Sequence, residues 1–150
     1  MKMQSFNQKK QTIVEELSKF EDYQQRMKFI IERGKSMPKI NPQFKIDQFL
    51  VEGCISRVWL VPQFHSSKIT FHADSESMIV KGIIALLLAV YNESTPSEIL
   101  EDDGGFLVDV GVTEHLSMNR RSGLSHVLKQ IHTYVGAFQS QANKETSNNL

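Results

Sequence analysis

This 150-residue chain lacks a second cysteine: Cys54 is alone. One thiol excludes an internal disulfide framework, and it excludes a dithiol mechanism with a resolving cysteine in the same chain. A free thiol suits a reducing compartment, so a cytoplasmic location is expected. Net charge is missing too. Seventeen basic residues balance seventeen acidic ones and are dispersed along the chain, which argues against a nucleic-acid partner. No apolar run approaches the length of a membrane span, about 20 residues. The longest, Ile83 to Val90, reads as part of a buried helix, and the polar segment 1–11, with Lys2, Lys9 and Lys10, lacks the apolar centre of a signal peptide. Cys-x-x-Cys and His-x-x-x-His are both absent. Cys54, His72, Asp74 and His115 therefore remain scattered ligand types, and neither a metal nor a bound cofactor is expected. His126 and His132 are six positions apart and do not share a helical face. Gly104-Gly105 belongs to no phosphate-binding glycine pattern.

What is present fits one globular domain, with 40% apolar and 9% aromatic residues. Ile13, Val14, Leu17 and Phe20 predict an amphipathic helix over residues 8–20. Asp22 can cap a second helix, which ends near Gly34 and Pro38. Residues 38–46 form a loop with two prolines. Strand signals follow at Phe49–Val51, at Arg57–Val61 (stopping at Pro62) and at Lys68–Ala73, where Ile69, Phe71 and Ala73 alternate with polar residues. The expected sheet is small and antiparallel, about three strands with one buried face. Asp74 or Ser75 then caps a helix that is apolar almost all round and runs to about Tyr91. Thr95-Pro96-Ser97-Glu98 opens a short helix with proline in its first turn, and Asp102-Asp103-Gly104-Gly105 breaks it. Phe106–Val110 carries no clear period, and Gly111–Leu116 reads as a connector. A last helix runs from Asn119 to about Gln139 on the stripe Leu124, Val127, Leu128, Ile131, Tyr134, Val135, Phe138. Segments 1–11 and 141–150 read as tails, leaving a domain over 12–138. Helices, small sheet, helices is an α+β order.

Chemistry centres on Cys54. A lone cysteine is often a buried structural residue. Gly53 beside it, however, implies special backbone geometry or close approach by another group, and the site falls at a strand boundary. Arg120 and Arg121 stand in the first turn of a helix, where their charge has the wrong sign for the helix dipole unless an anion compensates. Arg57 is a second possible source of positive charge for the thiol. Asp74 reads most simply as a helix cap. Trp59 reads as sheet-face packing and as possible shelter for Cys54.

Three segments taken in order carry a resemblance: Gly53-Cys54-Ile55-Ser56-Arg57-Val58-Trp59, Asp74-Ser75-Glu76-Ser77-Met78-Ile79-Val80-Lys81-Gly82, and Leu116-Ser117-Met118-Asn119-Arg120-Arg121-Ser122-Gly123-Leu124. Together they resemble the SufE family of sulfur-acceptor proteins, over roughly residues 12–138. The resemblance implies an α+β fold like that of the IscU-type scaffold proteins. It implies a non-enzymatic accessory protein that takes persulfide sulfur from a pyridoxal-phosphate cysteine desulfurase (SufS-like), stimulates that enzyme, and passes the sulfur to an iron–sulfur scaffold (SufBCD-like). The matched acceptor is Cys54. Asp74 and Arg120 match positions of the desulfurase contact or the acceptor-loop environment, and Arg121 beside Arg120 keeps both arginines open for that role. Two other readings stay in play. A metal or cluster scaffold wants several thiolates, and a thiol hydrolase or redox protein wants a base hydrogen-bonded to Cys54.

Overall fold

Helix α3, Met78–Tyr91, lies at the centre with ten of its fourteen residues buried. The computed structural model describes residues 4–114 and 116–148, with side chains through residue 141. Before α3 come α1 (Phe6–Ser18), α2 (Tyr23–Lys35) and a hairpin of β1 (Val58–His65) and β2 (Lys68–Ser75). After it come α4 (Pro96–Leu100), α5 (Gly105–Asp109) and the long α6 (Met118–Asn148). The architecture is α+β. Among the described residues no helix is long and apolar enough to cross a membrane.

The helix starts have local causes. Ser5 and Gln8 form a reciprocal capping box at α1, so helix begins at Phe6 inside the stretch expected as a tail. Asp22 accepts from the Gln24 amide at α2. At α4, Thr95 and Glu98 form a second capping box around Pro96. The cap of α3 is Ser77, whose hydroxyl accepts from the Val80 amide, and not Asp74 or Ser75 as expected. Both of those residues belong to β2, because Val58 pairs with Ser75 and Trp59 with Asp74. α2 and α3 cross with their backbones nearly touching. A Cβ on Gly82 would lie 2.2 Å from the Ile30 carbonyl oxygen, and one on Gly34 would lie 2.8 Å from the Gly82 amide nitrogen.

The sheet has two strands where about three were read. Residues 49–51 supply only an isolated bridge, Leu50 to Trp59. β1 continues through Pro62, which pairs with Phe71. In a two-stranded ribbon each strand is an edge, and a residue without an N–H is tolerated there. β1 also buries both faces. Val58 and Leu60 join the main core, while Trp59 and Val61 pack with Ile40, flanked by Phe49 and Leu50. The segment 38–50 therefore covers the face that a simple hairpin leaves to solvent. Phe106 and Leu107, in a stretch the sequence left unassigned, are buried on α5. Helix α6 runs past Gln139 to Asn148, through most of the segment expected as a tail.

Candidate functional site

Cys54 lies in a short segment clamped at both ends. The Val51 amide donates to the Val58 carbonyl at 2.8 Å, and the Glu76 amide donates to the Arg57 carbonyl at 3.1 Å. Between the clamps Gly53 takes φ +91°, a conformation strained for any other residue, and this turns the chain so that Cys54 points inward. The thiol is half-buried and donates to the Gly123 carbonyl of α6, with Sγ at 3.4 Å. The next residue, Ile55, faces out at 76% exposure. Beside the sulfur opens a cleft of about 340 Å3, lined by Ser56, Val58, Val80, Ser117, Asn119 and Arg120 among others. A larger, shallow groove of about 650 Å3 runs between α1 and the ends of α2 and α3, past Lys9, Met37 and Asn92. Its lining includes Lys9 and Ser36 but no cysteine.

Burial pushes the Cys54 thiol above the usual cysteine pKa. The resting group is therefore a protonated donor, as its bond to a carbonyl requires. The reading that Arg57 lowers this pKa is not met in the free protein. Arg57 is exposed, pairs with Glu76 and lies over the Trp59 ring at 5.4 Å. Trp59 does not shelter the thiol either. Val58 lines the cleft, and Trp59, as the next residue of the strand, points to the opposite face. The shelter comes instead from the start of α6.

The two arginines of α6 separate by contact. Arg121 donates from Nε to the Thr113 carbonyl at 2.9 Å and from Nη2 to the Glu114 carbonyl at 2.8 Å, so those carbonyls offset its unfavourable place at a helix start. Arg120 is exposed and lines the Cys54 cleft, and among the described residues its guanidinium has no ion-pair partner. Asp74 stands across the hairpin from Trp59. It takes Lys45 Nζ at 2.5 Å and Lys81 Nζ at 3.1 Å. Burial alone would raise its pKa, but the two lysines and the Ser75 amide outweigh it and hold the carboxyl below its ordinary value. Among the described residues neither Asp74 nor Arg57 makes a hydrogen bond to Cys54. Of the predicted residues the structure thus brings Cys54 and Arg120 together, and it sets Arg57, Trp59 and Asp74 as a separate group on the other face of the hairpin.

The acceptor of the Cys54 hydrogen bond is a carbonyl, and among the described residues no histidine or carboxylate hydrogen-bonds the thiol as a hydrolase base would. Among the described residues no three His, Cys, Asp or Glu side chains gather to hold a metal. His115, one of the possible ligands, lies outside the described residues. One residue of the site escaped the sequence reading. His126 packs against Gly53: a Cβ on that glycine would meet its ring at 2.6 Å. The available signal was Gly53 itself, which marked a close approach without saying by what.

The family model described as SufE, Fe-S metabolism associated domain, matches residues 11–135. An uncharacterized SufE-like protein of Rhizobium meliloti is 30% identical over 124 residues, covering 79% of this chain and 89% of its own length. Another, from Synechocystis, is 31% identical over 127 residues, covering 85% and 80% respectively. The solution structure of a hypothetical protein from Thermus thermophilus superposes with a TM-score of 0.74 at 19% identity, over 88% of this chain and 96% of that one. That likeness speaks for the fold alone.

Proposed function

The chain belongs to the SufE family, the Fe–S metabolism associated domain, and from that premise we propose that it is a sulfur relay. Cys54 accepts sulfane sulfur from a pyridoxal-phosphate cysteine desulfurase and passes it to an iron–sulfur cluster scaffold. The observation that carries the reading is the lone thiol on a glycine-dependent turn, half-buried at a cleft with a weak hydrogen bond to the Gly123 carbonyl. A structural cysteine would be sealed in the core. A relay cysteine needs to be sheltered when idle and within reach when a donor arrives.

The transfer step balances without an outside oxidant. Cys54 loses its proton to solvent or to a partner base on docking. Its thiolate attacks the terminal sulfur of the donor's persulfide, a new S–S bond forms on Cys54, and the donor's own S–S bond breaks with its cysteine leaving as thiolate. The proton lost from Cys54 matches the one the leaving thiolate takes up, and the sulfane sulfur keeps its oxidation state. Burial raises the thiol's pKa, so docking has to supply activation by exposing Cys54 or bringing a cation to it. Arg120, without an ion-pair partner among the described residues and beside the cleft, is the residue of this chain we assign to the contact with the desulfurase or with the developing charge. Asp74, held by two lysines, we assign to shaping the neighbouring contact surface.

The test is desulfurase turnover with cysteine as substrate, with this protein added or omitted. Sulfide or alanine release should rise with the native chain and stay at the unassisted rate with Cys54→Ser. Equal stimulation by the serine variant would remove the relay.

A further inference from the structure

The Gly53–Cys54 pair lies across α6 with a different α6 residue against each member. Cys54 bonds the Gly123 carbonyl. Three positions on, one helical turn along the same face, the imidazole of His126 lies against Gly53. A Cβ on Gly53 would stand 2.6 Å from His126 Nε2 and 2.7 Å from both Cδ2 and Cε1. Three ring atoms at nearly one distance mean that the flat of the ring, not its edge, covers the glycine. Among the described residues the ring nitrogens have no hydrogen-bond partner, so the hold is one of contact and shape. The ring also borders an open hollow of about 350 Å3, shared with Glu52, Gly53, Lys129, Gln130 and Thr133. The ring therefore has room to leave. The absence of a side chain on Gly53 serves two ends at once: it allows φ +91°, and it lets the ring come down onto the backbone.

We propose that His126 is a positioning residue that holds the Gly53–Cys54 turn closed over α6, with the thiol on Gly123, and that displacement of its ring into the neighbouring hollow releases the turn and exposes the sulfur. The purpose of such a staple rests on the relay reading. The closure itself belongs to the free protein and is measured without any partner.

The experiment follows alkylation of Cys54 by iodoacetamide in the full chain, for the native protein, His126→Ala and His126→Phe. Losing the ring should raise the alkylation rate about tenfold, equivalent to about 1.4 kcal/mol of closure. Phenylalanine, a flat ring that cannot titrate or hydrogen-bond, should restore a rate within about twofold of native. Low urea separates local opening from global unfolding, because only the latter exposes enough surface to accelerate steeply with denaturant. The faster alkylation of His126→Ala should be flat in low urea. Gly53→Ala gives a second route, since its methyl cannot coexist with the ring, and it should also alkylate faster than native. A native rate in His126→Ala, or a rate in His126→Phe equal to that of His126→Ala, overturns the proposal. So does an acceleration that climbs with urea. Desulfurase-driven loading of Cys54 can fail while these rates come out as expected, and then the relay falls but the staple stands.

Discussion

Cys54 Sγ and the Gly123 carbonyl, 3.4 Å apart, join the Gly53–Cys54 turn to the second turn of α6. A Cβ on Gly123 would lie 3.6 Å from that sulfur, an ordinary contact. Gly123→Ala should therefore leave the thiol seated and stabilise the fold by about 0.5–1 kcal/mol, the usual gain for alanine over glycine inside a helix. Gly123→Leu fills the seat instead and should make Cys54 markedly easier to alkylate. A urea melt and an alkylation rate on each variant check both halves.

The pH profile of alkylation reports the same seat. Burial raises the Cys54 pKa, and only the thiolate reacts. The rate should inflect at a higher pH than that of a free cysteine, about 8.5. In Gly123→Leu, where the sulfur leaves its buried position, the inflection should move back down toward that value. An inflection below the free-cysteine value in the native protein would mean that a cation reaches the thiol at rest.

Arg120 and Arg121 should fail in different assays. Arg120→Ala removes an exposed guanidinium that has no ion-pair partner among the described residues, so stability should stay within about 0.5 kcal/mol while sulfur uptake from the desulfurase falls about three- to tenfold. Arg121→Ala cuts two bonds to the Thr113 and Glu114 carbonyls. It should cost about 1 kcal/mol in a urea melt and leave uptake near native. The reverse pattern would exchange their roles.

Away from the site, Asp102 ties three elements together. It takes Lys10 Nζ at 2.7 Å, the Tyr91 hydroxyl at 2.6 Å and the Gly104 amide at 3.0 Å. Burial pushes its pKa up, but these three donors outweigh it and hold it below the usual value. A carboxyl with a depressed folded-state pKa gives its full stabilisation above the unfolded pKa of about 3.9 and loses it as pH falls through the folded one. Native stability should decline as pH drops below about 5. Asp102→Asn should cost about 1–3 kcal/mol at neutral pH and show a shallower acid limb in urea melts at stepped pH.

Much of this was legible in the sequence, and the misreadings around the hairpin share one cause. The stripe on α6, the alternation of β2 and the Thr95-Pro96-Ser97-Glu98 start are patterns within one element, and each appears where the pattern put it. Misreadings arose where a partner distant in sequence decides. Pro62 reads as a strand stop until the sheet is known to have only two strands. Asp74 reads as a cap until Trp59 pairs with it and draws it into β2. Trp59 reads as shelter for Cys54 until segment 38–50 is seen to cover its face of the hairpin. At the site, Cys54 stood out by being alone and Gly53 by standing next to it. Gly123 and His126 did not, since nothing local to α6 says that a turn some 70 residues earlier lies across it.

The most direct test of the relay is the intact mass of the protein after incubation with a cysteine desulfurase, pyridoxal phosphate and cysteine. Transfer to Cys54 predicts a gain of about 32 Da, one sulfur, removed by a thiol reductant and blocked by prior alkylation of Cys54. An unchanged mass while the desulfurase consumes cysteine, or a gain that survives both the reductant and the alkylation, would contradict it.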